Sequence, residues 1–391
     1  MKLDFLYRID RLFSLLGRLF MPLFMSAKSG KVPDTVKNIV IFKFLGGGSL
    51  TLAAPALFAL KKRYPSARMI LLATSVIKSN AELLDLFDDI ETFSLSSPFQ
   101  ALKTFFKLKN LVSSQDNLVI DLELYSGFSH LVSAWISAKC YSAGLALPQE
   151  RHFWNKAIFF RENIPMYQLY DELPKLVNGR VSSADTQNFY RLPSEKIDRD
   201  LLVIAPFCSN LSLRRQWQSQ KFAELLDTLL LKRRQLRAVI IGAPEDFSEA
   251  ERILSMLDAE IAPRVESWCG KADFAKAFEA VRRSGLFIGV DSAPLHLARL
   301  CAVPALSIWG ATSPYHLTRN FENYSETLIV ADAHCTPCVH RKNVYCPFEK
   351  SCTAMVKVNS VLTAAESLLD NPLTGGRGVC YEQVQPPRKK L

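Results

Sequence analysis

From Asn38 onward, short apolar runs alternate with stretches of helical spacing. "NIVIF" (38–42) is apolar at consecutive positions after its first residue, which predicts a strand covered on both faces. Leu50 to Lys62 predicts a helix, "RMILLATS" a second strand, Asn80 to Leu86 a helix, "NLVIDLEL" a strand and Phe128 to Ala138 a helix. A less regular, proline-containing stretch runs from Leu147 to Asp200, and then the rhythm restarts. The second series is "DLLVIAPF", a helix from Gln220 to Lys232, "RAVIIGA", helices from Ser248 to Leu257 and Ala272 to Arg283, "GLFIGV", a helix from Pro294 to Leu300 and "PALSIWG". Alternating strands and helices predict an α/β protein with a parallel sheet in each half. The two halves share this rhythm without a sequence repeat. The boundaries read as an N-terminal segment at 1–37, a first Rossmann-like domain at 38–180, a second at 181–370 and a basic tail at 371–391.

The N-terminal segment has its own pattern. Leu12, Leu15, Leu16, Leu19, Phe20 and Leu23 recur at helical spacing among Arg8, Arg11 and Arg18. This predicts an amphipathic helix on an anionic membrane surface. The charges leave no uncharged run near the roughly 18–20 residues that a span needs, and no small-residue cleavage site follows.

With 391 residues, 49% hydrophobic and 22% charged, the chain is long enough for two cores and too apolar for wholesale disorder. Its 48 basic against 38 acidic residues leave +10, which suggests an anionic partner: nucleic acid, a membrane or a phosphorylated substrate. No nucleic-acid recognition motif or aromatic–basic stripe is present, so nucleic acid is set aside. Nine cysteines, an odd number with no secretory signal, fit a reducing compartment.

Four stretches carry candidate chemistry. In "FKFLGGGSLTLAAP", Gly46, Gly47 and Gly48 lie between the first strand and the first helix, where backbone can approach a phosphate. A dinucleotide fingerprint fails here, because Thr51 stands at the third glycine and the second strand ends without a carboxylate. "GVDSAPLHLARL" runs from a strand through Asp291 and Ser292 into a helix with Pro294 in its first turn and His296 on it, a setting suited to a diphosphate. "CSNLSLRRQW" sets Arg214 and Arg215 in a loop with Trp217 expected as a platform behind them. "IIGAPED" places Glu245 and Asp246 just past a strand, where a carboxylate can hold ribose hydroxyls. Finally, "HCTPCVHRKNVYCPFEKSC" spaces Cys335, Cys338, Cys346 and Cys352 closely enough that a structural zinc is expected, ahead of buried thiols or disulfides.

Together, "NIVIFKFLGGGSLTLAAPALFALKKRYPSARMILLAT", the "PFCS…RRQW" loop, "IIGAPED", "WCGKADFAKAFEAVRRSGLFIGVDSAPLHLARLCAVPALSIWG" and the cysteine cluster resemble glycosyltransferase family 9, the ADP-heptose:lipopolysaccharide heptosyltransferases and their relatives. The resemblance covers about residues 38 to 365. It implies a GT-B fold, two Rossmann-like domains facing across a cleft, the first binding acceptor and the second nucleotide-sugar. It also implies inverting transfer of a heptose-like sugar, with no cofactor for catalysis, onto a lipid-linked saccharide such as lipopolysaccharide core. A cytoplasmic enzyme, peripheral on the inner face of the cytoplasmic membrane, is the expected setting; a catalytically inactive relative that binds nucleotide-sugar or glycolipid is the alternative.

The family's D-[ST]-G-x-x-H turn falls on Asp291, Ser292, Ala293 and His296, with alanine for the glycine. Its diphosphate-contacting basic residue falls on Arg215, and its ribose carboxylate on Asp246 or, one register away, Glu245. Its first-loop Arg-x-x-x-Leu-Gly-Asp falls on Lys43, Gly48 and Ser49. A serine hydroxyl does not accept a proton at neutral pH unaided. Three readings stay open: Asp121 or Glu123 supplies the base, Ser49 only orients an acceptor that needs little base, or transfer has been lost.

Overall fold

The computed structural model describes residues 31–94, 97–124, 126–147, 150, 153–161, 163–182, 197–208, 213–319, 324–338, 346, 351–372 and 376–384. The expected amphipathic helix and the final "QPPRKKL" lie outside the described residues. The chain divides into two compact units, Met1–Thr186 and Gln187–Leu391.

In the first unit, β1 (Asn38–Phe42), β2 (Arg68–Thr74), β3 (Asp89–Phe93), β4 (Asn117–Asp121), β5 (Tyr141–Ala146) and β6 (Lys156–Phe159) alternate with α1 (Gly47–Arg63), α2 (Ser75–Leu83), α3 (Pro98–Leu111), α4 (Gly127–Ile136) and α5 (Met166–Lys175). The strands form one sheet in the order β3-β2-β1-β4-β5-β6, with every pairing parallel. Parallel strands are joined by crossovers, so helices cover both faces and the central strands are apolar throughout. Ile39, Val40, Ile41 and Phe42 are all fully buried. Ile41 sits opposite Leu71 on one side and Ile120 on the other.

The second unit repeats the plan with β7 (Asp198–Ala205), α6 (Ser219–Lys232), β8 (Arg237–Ile240), α7 (Phe247–Ser255), β9 (Val265–Ser267), α8 (Phe274–Arg283), β10 (Ser284–Val290), α9 (Ala293–Leu300), β11 (Ala305–Trp309), a single turn α10 (Pro314–Leu317), β12 (Ser325–Asp332), α11 (Val358–Asp370) and β13 (Gly376–Gln383). The sheet order is β13-β12-β11-β10-β7-β8-β9, again parallel throughout. Successive side chains of a strand point to opposite faces, and the cores divide accordingly. Leu202 and Ile204 join one cluster with Phe222 and Leu226, while Leu201, Val203 and Ala205 join the other with Leu295 and Trp309.

The structure differs from the sequence pattern at several places. Helix α1 starts at Gly47, three residues before Leu50, because Gly46 turns the chain at φ +82° and its carbonyl accepts from Leu50 N at 3.1 Å. Helix α2 starts at Ser75 rather than Asn80. Strands β3, β5, β6, β9 and β12 and helices α3, α5 and α11 are additional to the expected elements, although α5 and α11 each bury one face and β12 holds an apolar run. Residues 376–383, grouped above with the tail, form β13 and pair along the whole of β12.

A buried polar network ties β4 to α4. Asp121 is fully buried and accepts from Ser129 Oγ at 3.0 Å, Ser133 Oγ at 2.7 Å and Glu123 N at 3.0 Å. Burial pushes its carboxyl up to about 6, against the pull of His130. His130 Nε2 donates to the Glu123 carbonyl at 3.0 Å, and its Nδ1 lies 3.6 Å from Glu150 Oε1. Burial alone would lower the imidazole pKa, but Glu150 and Asp121 outweigh it and raise it to about 9. Trp154 Nε1 closes the network on Ser133 Oγ at 3.1 Å.

Because the folded His130 pKa lies above its ordinary 6.5, its contribution is complete below that pH and is lost as pH rises through about 9. The raised Asp121 pKa acts in a separate window, between 3.8 and about 6. Urea-unfolding midpoints are therefore expected to fall between about pH 6.5 and 9, and His130→Gln to flatten that fall while lowering stability at the acid end.

Candidate functional site

Open parallel sheets bind ligands beyond the carboxyl ends of their strands, where the strand order reverses. In the first unit that point lies between β1 and β4. Lys43 leaves β1 there and Glu123 leaves β4, both buried, with Lys43 Nζ donating to Glu123 Oε1 at 3.1 Å. The same oxygen accepts from Phe44 N at 2.6 Å and Leu45 N at 2.9 Å. Burial opposes the Lys43 charge, but Glu123 at contact, with Tyr170 and Asp121 nearby, more than offsets it and keeps the ammonium protonated.

The loop then enters α1. Gly46 adopts the left-handed conformation, and a Cβ there would meet Ser49 Oγ at 2.7 Å. A Cβ on Gly47 would meet the Asn80 side chain at the same distance, so the glycines allow two close approaches. Gly48 is buried in the first turn. Ser49 Oγ donates to the Gly46 carbonyl at 2.7 Å and closes that turn. Tyr170 on α5 is the residue that sequence reasoning missed: its buried phenol is pushed up by burial and also feels Lys43, Glu123 and Ser49. It sits in the irregular stretch, where nothing in the pattern separated it from an ordinary core tyrosine.

The two carboxylates expected as alternative bases are placed differently. Asp121 points beneath α4 into Ser129 and Ser133, and Glu123 Oε1 is committed to three donors. Glu123 thus stays at the end of β4 beside Lys43, while Asp121 turns away under α4.

In the second unit the strand order reverses between β7 and β10. Asp291 follows β10 and Ser292 caps α9 by position, but its hydroxyl makes no capping bond. That Oγ is buried and has no hydrogen-bond partner among the described residues. Ala293 opens the helix, Pro294 supplies no N–H and Leu295 N donates to the Ser292 carbonyl at 3.2 Å, so the Ala293 N–H is the first-turn donor with no acceptor inside the helix. Arg215 Nη1 donates to the Asp291 carbonyl at 2.7 Å and lies 3.6 Å from its Oδ2. Despite complete burial, the Asp291 carboxyl is held below its ordinary value by His296, Arg215 and Thr312.

His296 is fixed by a neighbour the sequence did not flag. Arg299 Nη1 lies 3.4 Å from His296 Nδ1, and a guanidinium can only donate, so Nδ1 carries the lone pair and Nε2 the proton. Nε2 faces Asp291 Oδ1 at 3.8 Å. Burial lowers the imidazole pKa, which keeps this neutral tautomer. Arg299 is itself held by Glu326 through Nε at 3.0 Å and Nη2 at 2.6 Å, both side chains being buried.

The remaining candidates divide. The Cys208 thiol, pushed up to about 11 by burial, feels Arg215, Asp291 and Asp246, which places these three around the end of β7. Asp246 Oδ2 accepts from Ala243 N at 2.8 Å and is half-buried, while Glu245 is exposed. Trp217 is not a platform. Its Nε1 donates to the Val356 carbonyl at 3.0 Å and its ring packs on Phe222, so it anchors the arginine loop from within the core.

The expected zinc ligands fall in a stretch of which the structure describes only part. Among the described residues no group of three or more His, Cys, Asp or Glu could hold a metal ion. Cys335, Cys338, Cys346 and Cys352 are thiols, Cys352 lies in the second unit's core, and Cys335 and Cys346 pack against it. Burial pushes Cys352 up to about 11, which makes it a small apolar side chain.

Comparison with known proteins follows this geometry. The family model described as Glycosyltransferase family 9 (heptosyltransferase) matches residues 157–348, a span that includes the whole second-unit cluster. Lipopolysaccharide heptosyltransferase 3 of Escherichia coli is 24% identical over 292 residues, covering 68% of this chain and 81% of that protein. Lipooligosaccharide heptosyltransferase 2 of Campylobacter jejuni is 22% identical over 331 residues, covering 83% and 96%. Among solved structures, E. coli ADP-heptose lps heptosyltransferase II aligns with a TM-score of 0.64 at 16% identity, over 86% of this chain and 99% of that one. A glycosyl transferase family 9 protein from Veillonella parvula also aligns at 0.64, with 18% identity. The fold is thus GT-B, and the chain is a glycosyltransferase similar to glycosyltransferase family 9, whose model it matches over residues 157–348.

Proposed function

We propose that the chain moves a heptose-like sugar, with inversion, from a nucleotide-diphosphate donor to a lipid-linked saccharide such as lipopolysaccharide core, and that it needs no metal to do so. The observation that carries the reading is the buried, unpartnered Ser292 hydroxyl at the start of α9, beside the Arg215 guanidinium fastened to Asp291. The named activities of the relatives support the choice of sugar and acceptor.

On this reading the donor diphosphate accepts hydrogen bonds from the Ala293 N–H at the start of α9, from Ser292 Oγ and from Arg215. His296, neutral, donates from Nε2 into the same site, and Asp246, with Glu245 as its neighbour, holds the ribose hydroxyls. Charge builds on the leaving diphosphate as the anomeric carbon–oxygen bond breaks, and these donors stabilise it most in the transition state. An acceptor hydroxyl attacks the opposite face of the anomeric carbon. Lys43, Gly46, Gly47 and Gly48 form the acceptor loop, with Ser49 orienting the nucleophile. Asp121 and Glu123 Oε1 accept internal hydrogen bonds, so on this reading leaving-group departure drives the step and the hydroxyl proton is lost to solvent after bond formation.

Three outcomes follow. ADP-linked sugar is expected to raise the melting temperature of the purified chain, and Arg215→Ala and His296→Ala each to weaken that binding about tenfold to a hundredfold without unfolding it. Unchanged affinity in both would overturn the donor site, and binding without turnover on any lipid-linked saccharide would overturn transfer. Ser49→Ala is expected to lower kcat by less than about tenfold, because loss of a true general base costs roughly a hundredfold or more. Glu326→Gln leaves Arg299 buried without its counter-charge and is expected to cost about 3–5 kcal/mol in chemical denaturation.

A further inference from the structure

Helix α3 is apolar on two opposite faces. Ala101, Phe105 and Leu108 are buried in the first unit's core, while Phe99 is 82%, Leu102 52% and Phe106 53% exposed. Positions 99, 102 and 106 follow the i, i+3, i+7 spacing of one helical stripe. Lys103 and Lys107 flank it on one side and Lys109 on the other, and α3 contains no acidic residue. Lys107 pairs with Glu91 from β3. Lys109 Nζ stands 3.8 Å from the centroid of the Trp135 ring, which also meets Phe106 edge-on at 5.1 Å. Lys139 lies close enough to help burial lower the Lys109 pKa.

The stripe does not end with α3. Strands β3, β2 and β1 are neighbours, so the turns that follow them are neighbours along one sheet edge. Those turns carry Phe99, Val76 (80% exposed) and Leu45 (50% exposed) in that order. The first turns of α1, α2 and α3 hold no acidic residue, so three positive helix ends share the rim with these apolar side chains. The row ends beside Lys43 and Ser49, at the reversal of strand order.

We propose that the outer face of α3, with the rim from Phe99 through Val76 to Leu45, docks onto an anionic lipid monolayer. Exposed Phe and Leu enter the acyl boundary, Trp135 sits at headgroup level and the lysines meet lipid phosphates. The helix carries three lysines and no acidic residue, of which Lys107 meets Glu91 within the fold, and an anionic headgroup layer complements that positive face. The proposal deepens the acceptor reading above and rests on it for its purpose: a lipid-linked saccharide would arrive from the side on which the apolar row leads to the acceptor loop.

The test is flotation of the full chain with vesicles of phosphatidylcholine alone or with about 30% phosphatidylglycerol. Binding to the anionic vesicles that weakens with salt is expected. The variant Phe99→Ser/Leu102→Ser/Phe106→Ser is expected to lower the bound fraction about tenfold, and Lys103→Gln/Lys107→Gln to remove the preference for phosphatidylglycerol. Both should keep the wild-type thermal shift with ADP-linked sugar, which shows that they fold. A wild-type chain that does not float, or a serine variant that floats equally, would overturn the proposal. Vesicle binding without transfer to any lipid-linked saccharide would overturn the acceptor reading and leave this surface standing; transfer without vesicle binding would do the reverse.

Discussion

Every strand in each sheet runs in the same direction, and the chemistry of the molecule depends on that constraint. Parallel strands cannot be joined by tight turns, so each needs a crossover helix, and each helix starts where a strand has just ended. The carboxyl edge of each sheet therefore collects all the helix N-termini and their unpaired N–H groups. Reversal of strand order then opens a gap at one place in each unit, between β1 and β4 and between β7 and β10. Lys43 and Glu123 stand at the first gap, Arg215 and Asp291 at the second.

Each unit holds buried charge that is neutralised within it. Glu123 answers Lys43, and Glu326 answers Arg299, with hydrogen bonds on the remaining donors. Such pairs add little net stability, but a lone partner is costly, so each fixes its neighbours in one arrangement. In the first unit the result is a rigid loop before α1. In the second it is a single tautomer of His296, selected by a residue one helical turn away.

Much of the fold was legible because central parallel strands must be apolar at every position. "NIVIF" and "GLFIGV" became β1 and β10 within a residue of their expected bounds. Edge strands escaped because they are not so constrained: β3 reads "DIETF" and is only partly buried. Helix α3 escaped for the opposite reason, since apolar residues on two faces erase the amphipathic period. The motif turn at Asp291 was legible through proline, histidine and the preceding strand, whereas Arg299 and Glu326 meet only in three dimensions, 27 positions apart. Asp121 was visible as a carboxylate at a strand end, but residue type does not tell whether a side chain points out of the sheet edge or back under a helix. The cysteine spacing suggested zinc, and the core into which Cys352 packs could not be seen from spacing.

Strand β13 is the last element of the second sheet and pairs with β12 through the crossover helix α11. Until those residues have been synthesised, β12 presents a bare row of amides and carbonyls beside the apolar side chains of "TLIVA". Synthesis from the ribosome is directional, so this unit completes its sheet only once residues 376–383 have emerged. The first unit, whose strands all lie before residue 160, can be folded by then. The nascent protein thus carries a finished sheet beside an open one, and the interval before β13 arrives is when it is most exposed to association with other nascent chains.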